Sequence, residues 1–177
     1  TSTKKFTTSQ VVFAALLSIV VLVAAQLLSL SIGELPLELG VSPAICNILA
    51  GALYAAFAIL GVRLLCRKLL KTAPDELRIS RFRVRPIWVL SALAMPALVL
   101  LLAVWAGGHW ELNSFSPADR AAAVTGAVFF YGLATGIVEE LIFRGVIMGC
   151  LERRTNIQIA IVAPSVLFGL LHVFGND

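Results

Sequence analysis

Five stretches of this chain, near residues 10–32, 44–65, 87–105, 121–150 and 157–174, are apolar almost without interruption. At ~1.5 Å per residue each is long enough, or nearly so, to cross a ~30 Å hydrocarbon layer as a helix. Composition agrees: 59% of the 177 residues are hydrophobic and 14% charged, against roughly 45–50% and 25% in soluble domains. A water-soluble core cannot absorb that excess. The expected fold is all-α, a polytopic transmembrane helical bundle with about five membrane helices.

Punctuation supports these limits. Ser42-Pro43, Pro86 and Ser116-Pro117 mark helix starts, because proline suits the first helical turn and a preceding serine can cap free amides. Trp88 and Trp105 are seventeen residues apart, ~26 Å of helix, close to the separation of the two interfaces where indole rings prefer to sit. Lys4 and Lys5 before an apolar run resemble a secretory leader, but the stretch Val11 to Leu30 exceeds a typical signal core, so a retained first helix is expected. Neither an internal repeat nor a linker divides the chain, and residues 1–177 are expected to form a single membrane-embedded domain. The chain opens at Thr1 and stops at Asp177, three residues past an apolar run, and is expected to be a piece of a longer protein, truncated at its C-terminus.

The net charge of +4 does not point to nucleic acid, because the basic residues sit in short loops between apolar runs. Arg63, Arg67, Lys68, Lys71, Arg78, Arg81, Arg83 and Arg85 share one loop, and Lys4, Lys5, Arg153 and Arg154 lie in the loops on the same side. The alternate loops carry Glu34, Glu38, Glu111 and Asp119 with Arg120 as the one base. Positive residues gather on the cytoplasmic side, so the N-terminus is expected inside and Asp177 outside. Topology alone accounts for the basic loop, without an anionic-lipid site. Cys46, Cys66 and Cys150 stand singly in or beside apolar segments and read as packing residues rather than a disulfide framework.

Within the fourth run, Glu139-Glu140-Leu141-Ile142-Phe143-Arg144 breaks the apolar pattern. Each charge at mid-membrane costs roughly 2.5–3.5 kcal/mol on insertion scales, so function is the default explanation. Glu140 and Arg144 are four apart and share a helix face, whereas Glu139 is turned ~100° away and is left for another partner. The fifth run ends with Phe168 and, four residues on, His172. If residues 154–156 form the turn of an antiparallel hairpin, Glu139 and His172 stand at one level and can meet. Pro164 can kink that helix and open space. The fourth run is ~45 Å as helix, longer than the hydrocarbon layer, so one end must protrude or bend.

A glutamate and a histidine around one water can act as general base and then general acid, as amide hydrolysis requires. A divalent metal such as zinc is the other way to activate water, and Glu139, Glu140 and His172 are the ligands on offer, although no His-Glu-x-x-His is present and no metal is assigned. His109 reads as a surface residue of an outer loop. Serine catalysis has less support, with no Gly-x-Ser-x-Gly and no serine tied by spacing to His172.

Glu-Glu-x-x-x-Arg at Glu139 to Arg144, with Phe-x-x-x-His at Phe168 to His172 about thirty residues later, resembles the CPBP intramembrane peptidases, which include the type II CAAX prenyl proteases. The resemblance implies an intramembrane endopeptidase in which Glu139 and His172 activate the attacking water and Glu140 and Arg144 support the site. It makes Phe168 a packing position and Asn176 a nearby helper. The family's third motif, a later histidine followed four residues on by Asn or Asp, is not reached within the 177 residues. The implied partners are a peptide or protein substrate, lipidated among eukaryotic relatives, and the bilayer, with a bacterial plasma membrane as the expected location. The alternative is a non-catalytic membrane protein that uses the same charges for partner binding or bacteriocin self-immunity. A proton-coupled transporter ranks last, because repeated halves and paired broken helices are not evident.

Overall fold

The computed structural model describes residues 5–79, 86–109 and 114–174, apart from a few side chains within them. Described residues form helices and turns, with no strand among them. We number the main helices α1 (Thr8–Glu38), α2 (Pro43–Leu70), α3 (Pro86–Trp105), α4 (Pro117–Glu152) and α5 (Ile157–Phe174). Each of the five apolar runs lies in one of them. Among the described residues α1, α2 and α4 are long and apolar enough to cross a membrane, and α5 is a shorter apolar helix. The protein is a polytopic helical membrane protein.

Local chemistry sets the ends. Thr7 caps α1 in a reciprocal box: its hydroxyl accepts from the Gln10 amide, and its own amide donates to the Gln10 side chain at 3.0 Å. Ser42 precedes the proline that opens α2, although its hydroxyl makes no capping bond. The last six residues of α2 are π-wound, and the helix stops at Lys71 in the left-handed region, φ 49°. Asn156 begins α5, its side chain accepting from the Ile159 amide at 2.9 Å.

Residues 1–80 with 117–177 form one compact unit, and residues 81–116 another. The second unit contains α3, which ends at an exposed Trp105 and is followed by an exposed His109. The Trp88 side chain lies outside the described residues.

In the larger unit α1 packs on α2 through small side chains. Val11, Ala14, Ser18, Ala25, Ser29 and Gly33 are the buried positions of α1. In α2, Cys46, Ala50, Tyr54, Ala58 and Val62 recur every fourth residue. The approach is close: a Cβ at Gly33 would sit 2.6 Å from the Ala50 Cβ, and one at Gly51 would sit 2.8 Å from the Phe129 carbonyl oxygen of α4. Ser18 and Ser29 donate to carbonyls of their own helix, three residues back. The large residues point outward, with Leu16, Val20, Leu27 and Leu60 all more than half exposed. Small residues inside and large apolar residues outside is the arrangement expected where the solvent is lipid.

α4 is not uniformly α-helical, since Gly126–Ala134 and Glu140–Ile147 wind as π-helix. The Thr135 hydroxyl donates to the Phe130 carbonyl five residues earlier, at 3.0 Å. Single π-turns within helices are frequent at functional sites, and the second stretch begins at Glu140.

Candidate active site

The α4–α5 turn occupies Arg153 to Asn156. Two contacts fix the register of the hairpin, Phe143 with Phe168 and Glu139 with His172, and both pairs are symmetric about the Thr155–Asn156 bond. Each step of four residues down α4 is matched by four up α5, so side chains one turn apart meet in order.

Glu139 and His172 come together across this hairpin. Glu139 Oε1 lies 3.7 Å from His172 Nε2, with side chains 26% and 54% exposed respectively. That distance is too long for a direct hydrogen bond and short enough for one water to reach both groups. His172 Nδ1 lies 2.9 Å from the Phe168 carbonyl oxygen. A carbonyl can only accept, so Nδ1 carries the proton, and in the neutral ring Nε2 is then an acceptor. Aromatic packing fixes the ring plane. The Phe168 and His172 ring centroids are 4.2 Å apart at a tilt of 38°, and buried Phe143 forms a T-shaped pair with Phe168 at 5.1 Å and 87°.

Glu140 follows the other course that its position on the helix allows. Its carboxylate pairs with Arg144 at 3.2 Å, and the two side chains are 59% and 73% exposed. Both line a cavity of about 690 Å³ together with Glu139, Phe168, Pro164 and Arg78, a size typical of ligand pockets. Pro164 sits inside α5 and has no amide to donate, which leaves a carbonyl of the preceding turn without its usual partner beside this space. Ser165 also lines the cavity, but its hydroxyl donates to the Ile161 carbonyl at 2.8 Å.

A three-ligand zinc site does not fit this arrangement. Glu140 is turned to Arg144, and among the described residues no group of three or more His, Cys, Asp or Glu side chains stands close enough to hold a metal. Asn176 lies outside the described residues.

Three features here are not marked in the sequence. Phe143 completes the aromatic column, and its spacing of four from Glu139 is the one local hint. Buried Tyr54 of α2 stacks on Phe130 of α4 with ring centroids 5.6 Å apart and lies within electrostatic reach of Glu139. Arg78, from the basic loop, reaches the cavity because the loop is tied to the base of the hairpin. Its guanidinium pairs with Glu152, and Arg153 meets Thr72 and Glu76 while its guanidinium lies 5.6 Å from the centre of the Phe6 ring. Arg154 donates to the Thr8 hydroxyl at 3.2 Å. These cations therefore bind structure.

Residues 121–176 match the family model described as Rce1-like, type II CAAX prenyl endopeptidase. The matched segment contains both charged motifs and the hairpin that joins them. It supports membership of the CAAX protease (CPBP) family and, at that level, an intramembrane protease. No curated protein and no solved structure matches the chain.

Proposed function

We propose, from that family-level kinship and the hairpin geometry, that the chain is an endopeptidase that hydrolyses a peptide bond with a water activated by Glu139 and His172. The observation that carries this reading is the 3.7 Å approach of Glu139 Oε1 to His172 Nε2 between two apolar helices. A carboxylate and a neutral Nε2 are both acceptors, so one water can donate to both and turn its lone pair toward a carbonyl carbon. Glu139 takes the water proton as the C–O bond forms. The tetrahedral intermediate then collapses, the C–N bond breaks, and the proton held by Glu139 passes to the departing amine. His172, held by the Phe168 carbonyl and by ring packing, keeps the water in place.

Glu140 and Arg144 neutralise each other and hold the wall of the cavity beside the reacting bond. Asn176, four residues after His172 in the sequence, is the candidate to steady the oxyanion. Phe168 positions His172. The substrate is a peptide or protein at the membrane, lipidated or not, and nucleic acid is not a partner. In this reading residues 1–177 belong to one membrane domain, with the N-terminus and the α4–α5 turn in the cytoplasm, most naturally of a bacterium. The second reading, a non-catalytic binding or bacteriocin-immunity protein, draws on the wide exposure of Glu140 and Arg144.

Reconstitution into liposomes and mass spectrometry of added peptides separates the two. Cleavage by wild type that is lost in Glu139→Ala and in His172→Ala is expected. Equal cleavage by all three would reject the assignment.

A further inference from the structure

Among the described residues Tyr54 is the largest side chain to be fully buried, at 2% exposure. Bulk alone does not explain it, because a phenylalanine would fill nearly the same space without a hydroxyl that must find a partner. The ring is fixed by its stack on Phe130, with centroids 5.6 Å and planes 22° apart. The backbone behind it is fixed too. Three residues earlier, an added Cβ on Gly51 would come within 2.8 Å of the Phe129 carbonyl oxygen. A ring held at both places aims its hydroxyl in one direction.

That hydroxyl has no hydrogen-bond partner among the described residues, yet a water can touch it. Other polar side chains on the packed faces of α1, α2 and α4 are already used. Ser29 donates to the Gln26 carbonyl, Asn47 to the Ala122 carbonyl and Thr135 to the Phe130 carbonyl. Glu139 is different. It lies within electrostatic reach of Tyr54, at the end of the Thr135–Glu139 segment that packs against α2. Its Oε1 faces His172 Nε2 at 3.7 Å, which leaves Oε2 for a second donor. The other charged side chains beside it along the cavity are Glu140, Arg144 and Arg78. Glu140 and Arg144 hold each other, and Arg78 is held by both oxygens of Glu152. Among the described residues Tyr54 is therefore the donor left for Glu139.

We infer that Tyr54 is a positioning residue, whose hydroxyl donates through one bridging water to Glu139 Oε2 and keeps Oε1 turned toward His172. This rests on the peptidase reading above. The last torsion of a glutamate is broad, so an unanchored carboxylate samples many orientations. One anchor on each oxygen confines it to the orientation in which it can take a proton from the attacking water. Tyr54 is not among the described residues that line the cavity, so it acts through Glu139 and not by touching the peptide.

The test uses the full chain in liposomes. Tyr54→Phe keeps the ring and its stack and removes only the hydroxyl. It is expected to lower kcat by about 10-fold to 100-fold, the size of a lost hydrogen bond to a charged group, with KM and the unfolding midpoint unchanged. Infrared difference spectroscopy gives a readout that needs no turnover: the carboxyl stretch that Glu139→Gln abolishes should shift in Tyr54→Phe. A band that stays in place overturns the proposal whatever the rate does, and so does a shifted band with kcat unchanged. An effect confined to the unfolding midpoint would make Tyr54 a packing residue and overturn it equally. If wild type cleaves no peptide and the band still shifts, the link between Tyr54 and Glu139 stands and the peptidase reading falls. Cleavage that requires Glu139 and is indifferent to the Tyr54 hydroxyl would do the reverse.

Discussion

The α1–α2 seam and the α4–α5 hairpin are both helix pairs of one compact unit, yet they are joined by opposite chemistry. The buried positions of α1 and α2 are small or apolar and none is charged. Close approach of Gly33 to Ala50 does the joining there, and the two buried serines satisfy themselves on their own helix. The hairpin instead brings Glu139, Glu140 and Arg144 to one cavity and sets His172 3.7 Å from Glu139. Membrane helices associate through packing of small residues, so the seam shows that this unit can join helices without ionisable groups. Charges that carry an insertion cost and are not needed for association require another reason to be there, and the reading above supplies one.

The largest expected effect tests that division within the hairpin. Glu139→Gln is isosteric and removes the proton acceptor, so cleavage should fall ~10²- to 10⁴-fold while the unfolding midpoint in detergent barely moves. Glu140→Gln should cost less in rate, because the lost partner is Arg144 at a widely exposed pair. Equal losses at the two positions would show that the adjacent carboxylates do not have separate tasks.

The α2–α4 contact at Gly51, built like the α1–α2 seam on a small residue, should respond in the opposite sense. A side chain at Gly51 meets backbone, the Phe129 carbonyl, rather than a flexible group, so neither helix can yield without moving. Gly51→Val should lower stability by ~1–3 kcal/mol, the usual cost of overpacking. Protein that remains folded should keep its cleavage rate per molecule. A Gly51→Val variant that unfolds like wild type would mean that the close approach does not hold the helices.

Between these lies Phe168, which belongs to both packing and site. It packs at a tilt against His172 and forms a T-shaped pair with Phe143. Phe168→Leu should cost ~0.5–1.5 kcal/mol of aromatic pairing and also reduce the rate, because the His172 ring loses its neighbour. Loss of stability with no change in rate would confine Phe168 to packing.

What could be read in the sequence follows from the range of the interactions. The five helices were legible because lipid demands long apolar runs. The Glu140–Arg144 pair follows from helical spacing, and the common level of Glu139 and His172 follows from a short turn between antiparallel helices. The Tyr54–Phe130 stack and the Arg78–Glu152 pair join residues that only tertiary folding brings together, 76 and 74 positions apart in the chain. The loop's excess of arginine is explained equally well by topology, so nothing in it singled out Arg78. The π-winding of α4 leaves no compositional mark either, since its residues suit an ordinary helix.

The smallest expected effect sharpens the contrast through pH. Glu76 sits in the loop beneath the hairpin, where the hydrogen bond from Thr72 and then that from Arg153 hold its carboxyl below the usual carboxylate range. A carboxyl lowered in the folded state stabilises fully above its unfolded pKa of ~4.3, and that contribution is lost as pH falls through the folded value. The difference in unfolding midpoint between wild type and Glu76→Gln should therefore be present at neutral pH and shrink below about pH 4. The buried positions of α1 and α2 hold no group that titrates there, so the shift caused by Gly51→Val should be the same at both ends of that range. A Glu76→Gln difference that is equally flat would mean that the loop is tied to the hairpin by shape and not by charge, and the two regions would then differ less than their composition implies.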